Sequence, residues 1–354
     1  MSPITEYPSI LLRPSRSFMK IDPTISARTV NLLIHILITL FSLMPAANAW
    51  NNVGHRAIAE LAWRQMNDAE RGAAADLLKH HPHYKEFLIT NVPAGVDTNE
   101  WAFLMAAIWP DWVRPAKHGQ PHKSDSITKY DLYPHAIGYP FLRPSETNRA
   151  LLDNFFIKKP DAEMVLSNSI ATLGNKNASD HDRAVSLAWT LHLFGDLHHP
   201  LHAATLVTKE KPRGEGLGGD YVVLDPRKKP QDKEINLHSF WDQLPGVESS
   251  YQSIARVADR ISAAPEFKPS ALKEYAEDKS IHSWVQESYQ IAVNFAYAKE
   301  HVQFAQSSDL KSGKISASDI PILKTEYIHK AEKIALRRLA LAGQRLADEL
   351  KNDF

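Results

Sequence analysis

There is no cysteine anywhere in the 354 residues. Disulfides are thereby excluded, and any bound metal has to be held by nitrogen and oxygen. Net charge is absent too, since 41 basic residues balance 41 acidic ones. No basic face on the scale of a non-specific DNA-binding protein is expected, so any contact with nucleic acid has to be local. The apolar run Val30–Leu43 has 14 residues, short of the ~20 that span a bilayer. Internal repeats and clear linkers are also missing. What the chain does have is histidine and tryptophan, 17 and 8 copies, in a composition (44% hydrophobic, 23% charged) that can bury a full core.

The first 49 residues read as a leader. Arg28 precedes the apolar run, and Pro45 and the small-residue sequence Ala47-Asn48-Ala49 follow it, the pattern of a signal peptide with an A-x-A cleavage site. Met19 offers an alternative start. Cleavage after Ala49 makes Trp50 the first residue of an exported chain, periplasmic or secreted, with 37 basic against 39 acidic residues. The remaining 50–354 are expected to form one all-α, multi-helix domain with at most a short β-hairpin or strand.

Periodicity supports that expectation. Helices are predicted over Gly54–Met66, from Asn67-Asp68 to about His80, over Thr98–Val113 with a break at Trp109-Pro110, and over Asp161–Leu173 and Asp180–Leu197. Residues 115–128 read as a polar loop, 129–141 as an extended segment, and 209–233 as a surface loop interrupted by one short strand, Tyr221–Leu224. Asn236 caps a helix bearing His238 and Asp242. Three amphipathic helices follow, over 250–262, 281–299 and 318–350. In the last, Ile328, Ala331, Ala335, Leu339, Ala342, Leu346 and Leu350 form a stripe with basic residues opposite, which reads as core.

The chemistry concentrates in L-H-L-F-G-D-L-H-H-P-L-H-A, residues 191–203. His192 and Asp196 are four apart and share a helix face, and His202 follows just beyond Pro200. His238 and Asp242 repeat the H-x-x-x-D spacing. His55, Asp111 in W-P-D-W-V-R and His135 in Y-P-H complete a set of His and Asp ligands suited to zinc. Closely spaced zinc ions suit phosphoester hydrolysis, because they lower the pKa of water and neutralise the attacking and leaving oxygens.

These motifs resemble the exported, zinc-dependent, single-strand-specific nucleases of the S1/P1 family, the mung bean nuclease type, within the phospholipase C/P1 nuclease superfamily. The matching stretches are W-N-N-V-G-H from Trp50, W-P-D-W-V-R from Trp109, Y-P-H from Tyr133, H-L-F-G-D-L-H-H-P-L-H from His192, G-L-G-G-D from Gly216 and N-L-H-S-F-W-D from Asn236. The resemblance implies three zinc ions. One is held by Asp111, His135, His192 and Asp196, and a second by His202, His238 and Asp242. The third takes the Trp50 α-amino nitrogen and carbonyl oxygen, His55 and the other oxygen of Asp196. It also implies that Arg114 stabilises charge on the phosphoryl oxygens, with Asp111 and Asp196 as the catalytic carboxylates. The implied substrates are single-stranded DNA and RNA, cut to 5′-phosphorylated products, with 3′-nucleotidase action, by a monomer with no membrane partner after processing. Trp109, Trp112 and Trp241 suit packing around the site or base stacking, and Tyr139 and Phe141 suit stacking or core alike.

Two departures from the family pattern bear on substrate. Asp220 stands where the family usually has Asn, and a carboxylate beside a phosphate site repels substrate unless protonated or turned away. Residues 136–138 lack the aromatic and acidic side chains with which fungal members grip a base. Two other readings are a zinc phospholipase C, whose pattern has a longer gap from Trp to the first His and a Glu in the last H-x-x-x-E, and a non-catalytic zinc-binding protein.

Overall fold

A computed structural model describes residues 50–354 apart from 116–122, 133, 154, 278 and 299–300. The leader expected over 1–49, Tyr133 of the Y-P-H motif and the middle of the 115–128 loop lie outside the described residues. The rest of that loop holds one unexpected helical turn, Asp125–Thr128. The architecture is mostly helical, as expected. No helix among the described residues is long and apolar enough to cross a membrane.

The first helix, α1 (Asn52–Gln65), starts because the Asn51 side chain accepts from the N–H groups of Val53 and Gly54. Asn51 also ties this start to distant chain, its Nδ2 donating to Gly246 O at 2.6 Å and its backbone N–H to Asp242 O at 3.3 Å. A capping box between Asn67 and Glu70 opens α2 (Asp68–Leu78). The predicted 98–113 helix is two pieces, α3 (Thr98–Ala106) and α4 (Trp109–Val113), with Pro110 in the first turn of the second, where its missing N–H costs no hydrogen bond. Helix α5 (Ala162–Gly174) precedes α6 (Asp180–Leu197). Helix α6 is buried on every side from Leu187 onward, and it packs against α1 to α5. A helix apolar all round belongs at the centre, so its ligand-bearing residues sit inside the domain.

One turn of helix, α7 (Pro200–Ala203), leads into two small sheets. In the first, β1 (Tyr139–Phe141) pairs parallel with β2 (Ala204–Leu206), Tyr139 opposite Ala204. In the second, β3 (Tyr221–Leu224) lies between β4 (Glu234–Asn236) and β5 (Ala305–Gln306), antiparallel to both. The antiparallel β3–β4 pair, 14 positions apart at Val222 and Asn236, is the short hairpin the sequence allowed, while the β1–β2 and β3–β5 pairings join segments 65 or more positions apart (Tyr139 and Ala204, Val222 and Ala305) that no local pattern could couple. After β4 comes α8 (Leu237–Asp242), capped by Asn236 as predicted.

Helices α9 (Tyr251–Ala263) and α10 (Ile281–Ile291, continued by a wider turn to Ala296) precede α11 (Thr325–Asp353), which begins seven residues later than the periodicity implied. All seven stripe residues of α11 are buried, each leucine contributing about 1.5–3 kcal/mol relative to exposure. The basic residues opposite the stripe are not all solvated: Arg338 and Arg345 are buried. Arg338 Nε donates to His198 O at 3.2 Å and Ser288 Oγ to Leu197 O at 2.7 Å. The carbonyls at the C-terminus of α6, which have no partner within the helix, are satisfied there by a cation and a hydroxyl. The end of α6 that carries Asp196 is therefore fixed from beneath.

Candidate metal centre

Six of the predicted side chains converge at the C-terminal half of α6. His192 Nε2 lies 3.2 Å from Asp196 Oδ2, one helical turn away. His135 Nδ1 lies 2.8 Å from His192 Nε2 and 3.3 Å from Asp196 Oδ2. Asp111 Oδ1, on α4, is 3.8 Å from both of those imidazole nitrogens. His55, on α1, stacks on His192 with ring centroids 4.0 Å apart and brings Nε2 to 3.4 Å from Asp196 Oδ1. Asp196 thus faces one group of ligands with each oxygen. The sixth, His202 on α7, joins a neighbouring group: its Nε2 is 3.2 Å from His238 Nε2, which is 3.5 Å from Asp242 Oδ1 on α8.

The imidazoles are aimed by hydrogen bonds made on their far sides. Nδ1 of His192 donates to Ala107 O at 2.8 Å, Nδ1 of His202 to His135 O at 2.6 Å and Nδ1 of His238 to Leu217 O at 2.6 Å. A carbonyl only accepts, so the ring hydrogen sits on Nδ1 in each and the Nε2 lone pair is left facing the cluster. The small sheets place two of these carbonyls, those of His135 and Leu217, which lie just ahead of β1 and β3. The backbone N–H groups of Ile137 and Gly138 donate to His202 O just ahead of the β1–β2 pairing, which sets His135 beside His202. The β3–β4 pairing brings Leu217, held at φ +60°, against His238.

Two glycines of the motifs give way to predicted site residues. A Cβ on Gly195 would lie 2.6 Å from His55 Nδ1, and one on Gly54 would lie 2.6 Å from the Trp50 Cβ. The G in H-L-F-G-D is therefore the socket for His55, and the G in N-V-G-H the socket for Trp50. Trp50 is fully buried, in an edge-on contact with His199 whose ring centroids lie 4.5 Å apart.

Both nitrogens of His55, both oxygens of Asp196, and Oδ1 of Asp111 and of Asp242 are buried without a hydrogen-bond partner. Native interiors seldom leave so many polar atoms together unsatisfied. Burial pushes the Asp196 carboxyl up to about 6 and the Asp242 carboxyl well above its ordinary range. Burial likewise holds His55, His135 and His202 well below the usual imidazole value. Burial lowers His192 as well, but the carboxylates of Asp196 and Asp111 outweigh it and its pKa is raised. Without a cation the site drives these groups, His192 excepted, towards neutrality. A divalent cation removes the penalty on the carboxylates and gives the orphaned lone pairs a partner, and the mixed nitrogen and oxygen donors fit zinc.

A cleft of about 510 Å³ opens onto this cluster, lined among others by Arg114, His135, His202, His238, Leu217 and Lys158. Arg114 stands at the boundary, with Nε donating to His135 Nε2 at 3.0 Å and Nη1 lying 3.2 Å from Asp111 Oδ1. Trp109 and Trp241 are fully buried and donate to His83 Nδ1 and to the Tyr327 hydroxyl, which makes them walls. Trp112 is half-buried against Phe87 and His83. Tyr139 and Asp220 are not among the residues lining the cleft. The Tyr139 ring lies against Tyr289 and His282, Phe141 belongs to the core, and the Asp220 carboxylate is engaged by Lys211 Nζ at 2.8 Å.

One residue at the site was not singled out from sequence. His199 is fully buried between Asp196 and His202, and its Nε2 lies 3.2 Å from Asp242 Oδ1. The tandem His198-His199 before Pro200 was its only visible sign.

A family model described as S1/P1 Nuclease matches residues 50–354. Endonuclease 2 of Arabidopsis thaliana is similar to this chain, with 24% identity over 334 residues that cover 91% of this chain and 97% of the relative.

Proposed function

Because this chain belongs to the S1/P1 nuclease family, whose members are zinc-dependent hydrolytic nucleases acting on nucleic acid, we propose that it cleaves single-stranded DNA and RNA. It leaves 5′-phosphorylated ends and also removes 3′-phosphates from nucleotides. The observation that carries this reading is the position of Arg114, a guanidinium in contact with two of the cluster residues and exposed to the cleft.

The family motifs assign three zinc ions to these donors. One would be held by Asp111, His135, His192 and Asp196, one by His202, His238 and Asp242, and one by Trp50, His55 and Asp196; the groupings of His55, His192 and Asp196 and of Asp111, His135 and His192 support the reading. When bound, zinc activates water near neutral pH and neutralises charge on the phosphoryl and leaving oxygens. The remaining work falls to the chain. Far-side hydrogen bonds on Nδ1 hold His192, His202 and His238 in one tautomer, so these three rings need no change of tautomer on loading, whereas His135, whose Nε2 accepts from Arg114, would have to give up the hydrogen on its cluster-facing Nδ1. The planar fork of Arg114 presents paired donors to a phosphoryl group in the cleft, and such donors act most strongly on charge that grows in the transition state. The buried tryptophans keep bulk water from the far side of the cluster.

Trp50 enters this assignment through its α-amine, which exists only after the leader is removed. An amide nitrogen has no lone pair to give, whereas an amine titrating near 7.7–8.0 does. Export and processing therefore complete the enzyme, which acts as a periplasmic or secreted monomer. Processed protein retaining Ala49 is expected to lose one zinc and most of its activity; full zinc and activity would refute the amine as ligand.

The test of function is one zinc-loaded preparation offered heat-denatured DNA, duplex DNA, RNA and phosphatidylcholine. Release of 5′-phosphorylated products from the denatured DNA and the RNA, with duplex DNA cut far more slowly, is expected. Hydrolysis of phosphatidylcholine with nucleic acids left intact would replace the reading with a phospholipase.

A further inference from the structure

His199 is held more firmly than a wall residue requires. Its backbone N–H donates to Asp196 O at 3.0 Å, and its carbonyl accepts from His202 N–H at 3.1 Å, so its main chain is bonded to two of the assigned ligands. Its ring is fixed as well. The edge of Trp50 closes one side, His238 lies roughly parallel with centroids 5.3 Å apart, and Nδ1 caps α7 by accepting from Leu201 N–H at 3.2 Å.

That cap decides which nitrogen carries the hydrogen. A Nδ1 that accepts a hydrogen bond has no hydrogen of its own, so the ring hydrogen must be on Nε2. Nε2 has no hydrogen-bond partner, and it lies 3.2 Å from Asp242 Oδ1, itself unpartnered. A protonated Nε2 cannot be a metal ligand. It can donate to a carboxylate, and Asp242 Oδ1 is an unpartnered acceptor within reach of it.

We propose that His199 is a positioning residue of the metal centre, with Nε2–H holding Asp242 Oδ1 so that the carboxylate stays turned towards His238 and the metal that Asp242, His202 and His238 share. The proposal rests on the assignment of those three residues as zinc ligands. It sets His199 apart from His192, His202 and His238, whose hydrogens sit on Nδ1 and whose Nε2 lone pairs face the cluster. Partners that orient a metal-bound carboxylate typically carry a 10–100-fold effect on metal affinity.

Three substitutions separate the roles of the ring. In His199→Gln the longer amide can still donate to Asp242. In His199→Asn the side chain caps α7 at least as well but is too short to reach Asp242. His199→Ala does neither. Each purified holoprotein is titrated with a chromophoric chelator to measure how tightly zinc is held, with cobalt(II) spectra and melting temperature alongside.

The expected result is wild-type zinc retention in the Gln variant and an affinity about 10–100-fold weaker for one zinc in the Asn and Ala variants, with Asn melting as wild type does. An Asn variant that keeps zinc as tightly as wild type overturns the proposal, leaving His199 as a cap. A Gln variant that loses zinc as Ala does, with a cobalt spectrum reporting one imidazole fewer, also overturns it in favour of direct ligation. If His238→Ala leaves zinc content unchanged, the ligand assignment itself fails and takes the proposal with it.

Discussion

Replacing Gly195 by alanine adds one methyl group in the middle of α6 and tests how tightly the cluster depends on shape. The new Cβ lies 2.6 Å from His55 Nδ1, 2.9 Å from its Cε1 and 3.3 Å from Ile58 Cδ1. Ordinary contact between such atoms needs about 3.5–4.0 Å, so the imidazole has to withdraw by roughly 1 Å. Overpacking of this kind costs about 1–3 kcal/mol, and alanine returns about 1 kcal/mol of helix propensity. The net loss is about 0–2 kcal/mol, a fall in melting temperature of less than about 8 °C at 2–4 °C per kcal/mol. Function responds far more sharply. Metal–ligand distances tolerate about 0.2 Å, and a 1 Å misplacement near reacting groups costs on the order of 10²-fold in rate. Gly195→Ala is therefore expected to fold, to lose about one zinc by inductively coupled plasma mass spectrometry, and to hydrolyse denatured DNA about 10²-fold more slowly. Gly72→Ala is the control: it lies in α2 with nothing within 4 Å of the added Cβ, and it should be neutral or stabilising by about 0.5–1 kcal/mol. Full zinc and full activity in Gly195→Ala would refute the socket.

Arg114→Ala is expected to lower kcat by about 10²–10³-fold with zinc content unchanged, and Arg114→Lys to recover only part because it lacks the fork; loss of zinc with activity would make Arg114 structural. Asp220→Asn should change stability by less than about 1 kcal/mol and KM less than about twofold, since the Asp220–Lys211 pair is half-exposed and does not line the cleft; a tenfold change in KM would mean that the carboxylate meets substrate. Chelated protein should lose stability in denaturant titrations as pH falls from 7 to 5. His55, His135, His199 and His202 stay neutral when folded because burial lowers their pKa, while the unfolded chain protonates them near 6.5, so the unfolded state binds more protons. Asp196, pushed up to about 6, Asp242 and His192, whose pKa is raised by Asp196 and Asp111, work in the opposite direction by taking up protons in the folded state; greater stability at pH 5 than at pH 7 would refute this balance.

Local spacing carried the parts of the site that local geometry determines. The two H-x-x-x-D pairs were legible because residues four apart share a helix face, and Asn236 was legible as a cap because it precedes the apolar run. His135 and His202 are neighbours for a reason no window of sequence contains: strands 65 positions apart at Tyr139 and Ala204 pair in parallel. The late start of α11 and the burial of Arg338 and Arg345 escaped for a similar reason. The basic face that periodicity assigned to water is covered in part by α10, whose Glu287 accepts from both arginines. His199 was hidden by its neighbours, since its role depends on which ring nitrogen the Leu201 N–H occupies.

Two glycines of other helices meet α1, and a third belongs to it. Gly195 of α6 leaves room for His55 and Gly343 of α11 for Leu61, whose Cβ would otherwise be met at 2.7 Å, while Gly54 of α1 itself leaves room for Trp50. A helix bedded at two points against α6 and α11 resists sliding and rolling, so its start is indexed to them. The end of a chain is ordinarily its loosest part. Under the proposed processing position 50 would become such an end, and it is referenced to α6 and α11, which would give a single tolerance to the protease that released it. A cut one residue early or late cannot be absorbed by a shift of the helix, because every shift drives a side chain into a place built for hydrogen.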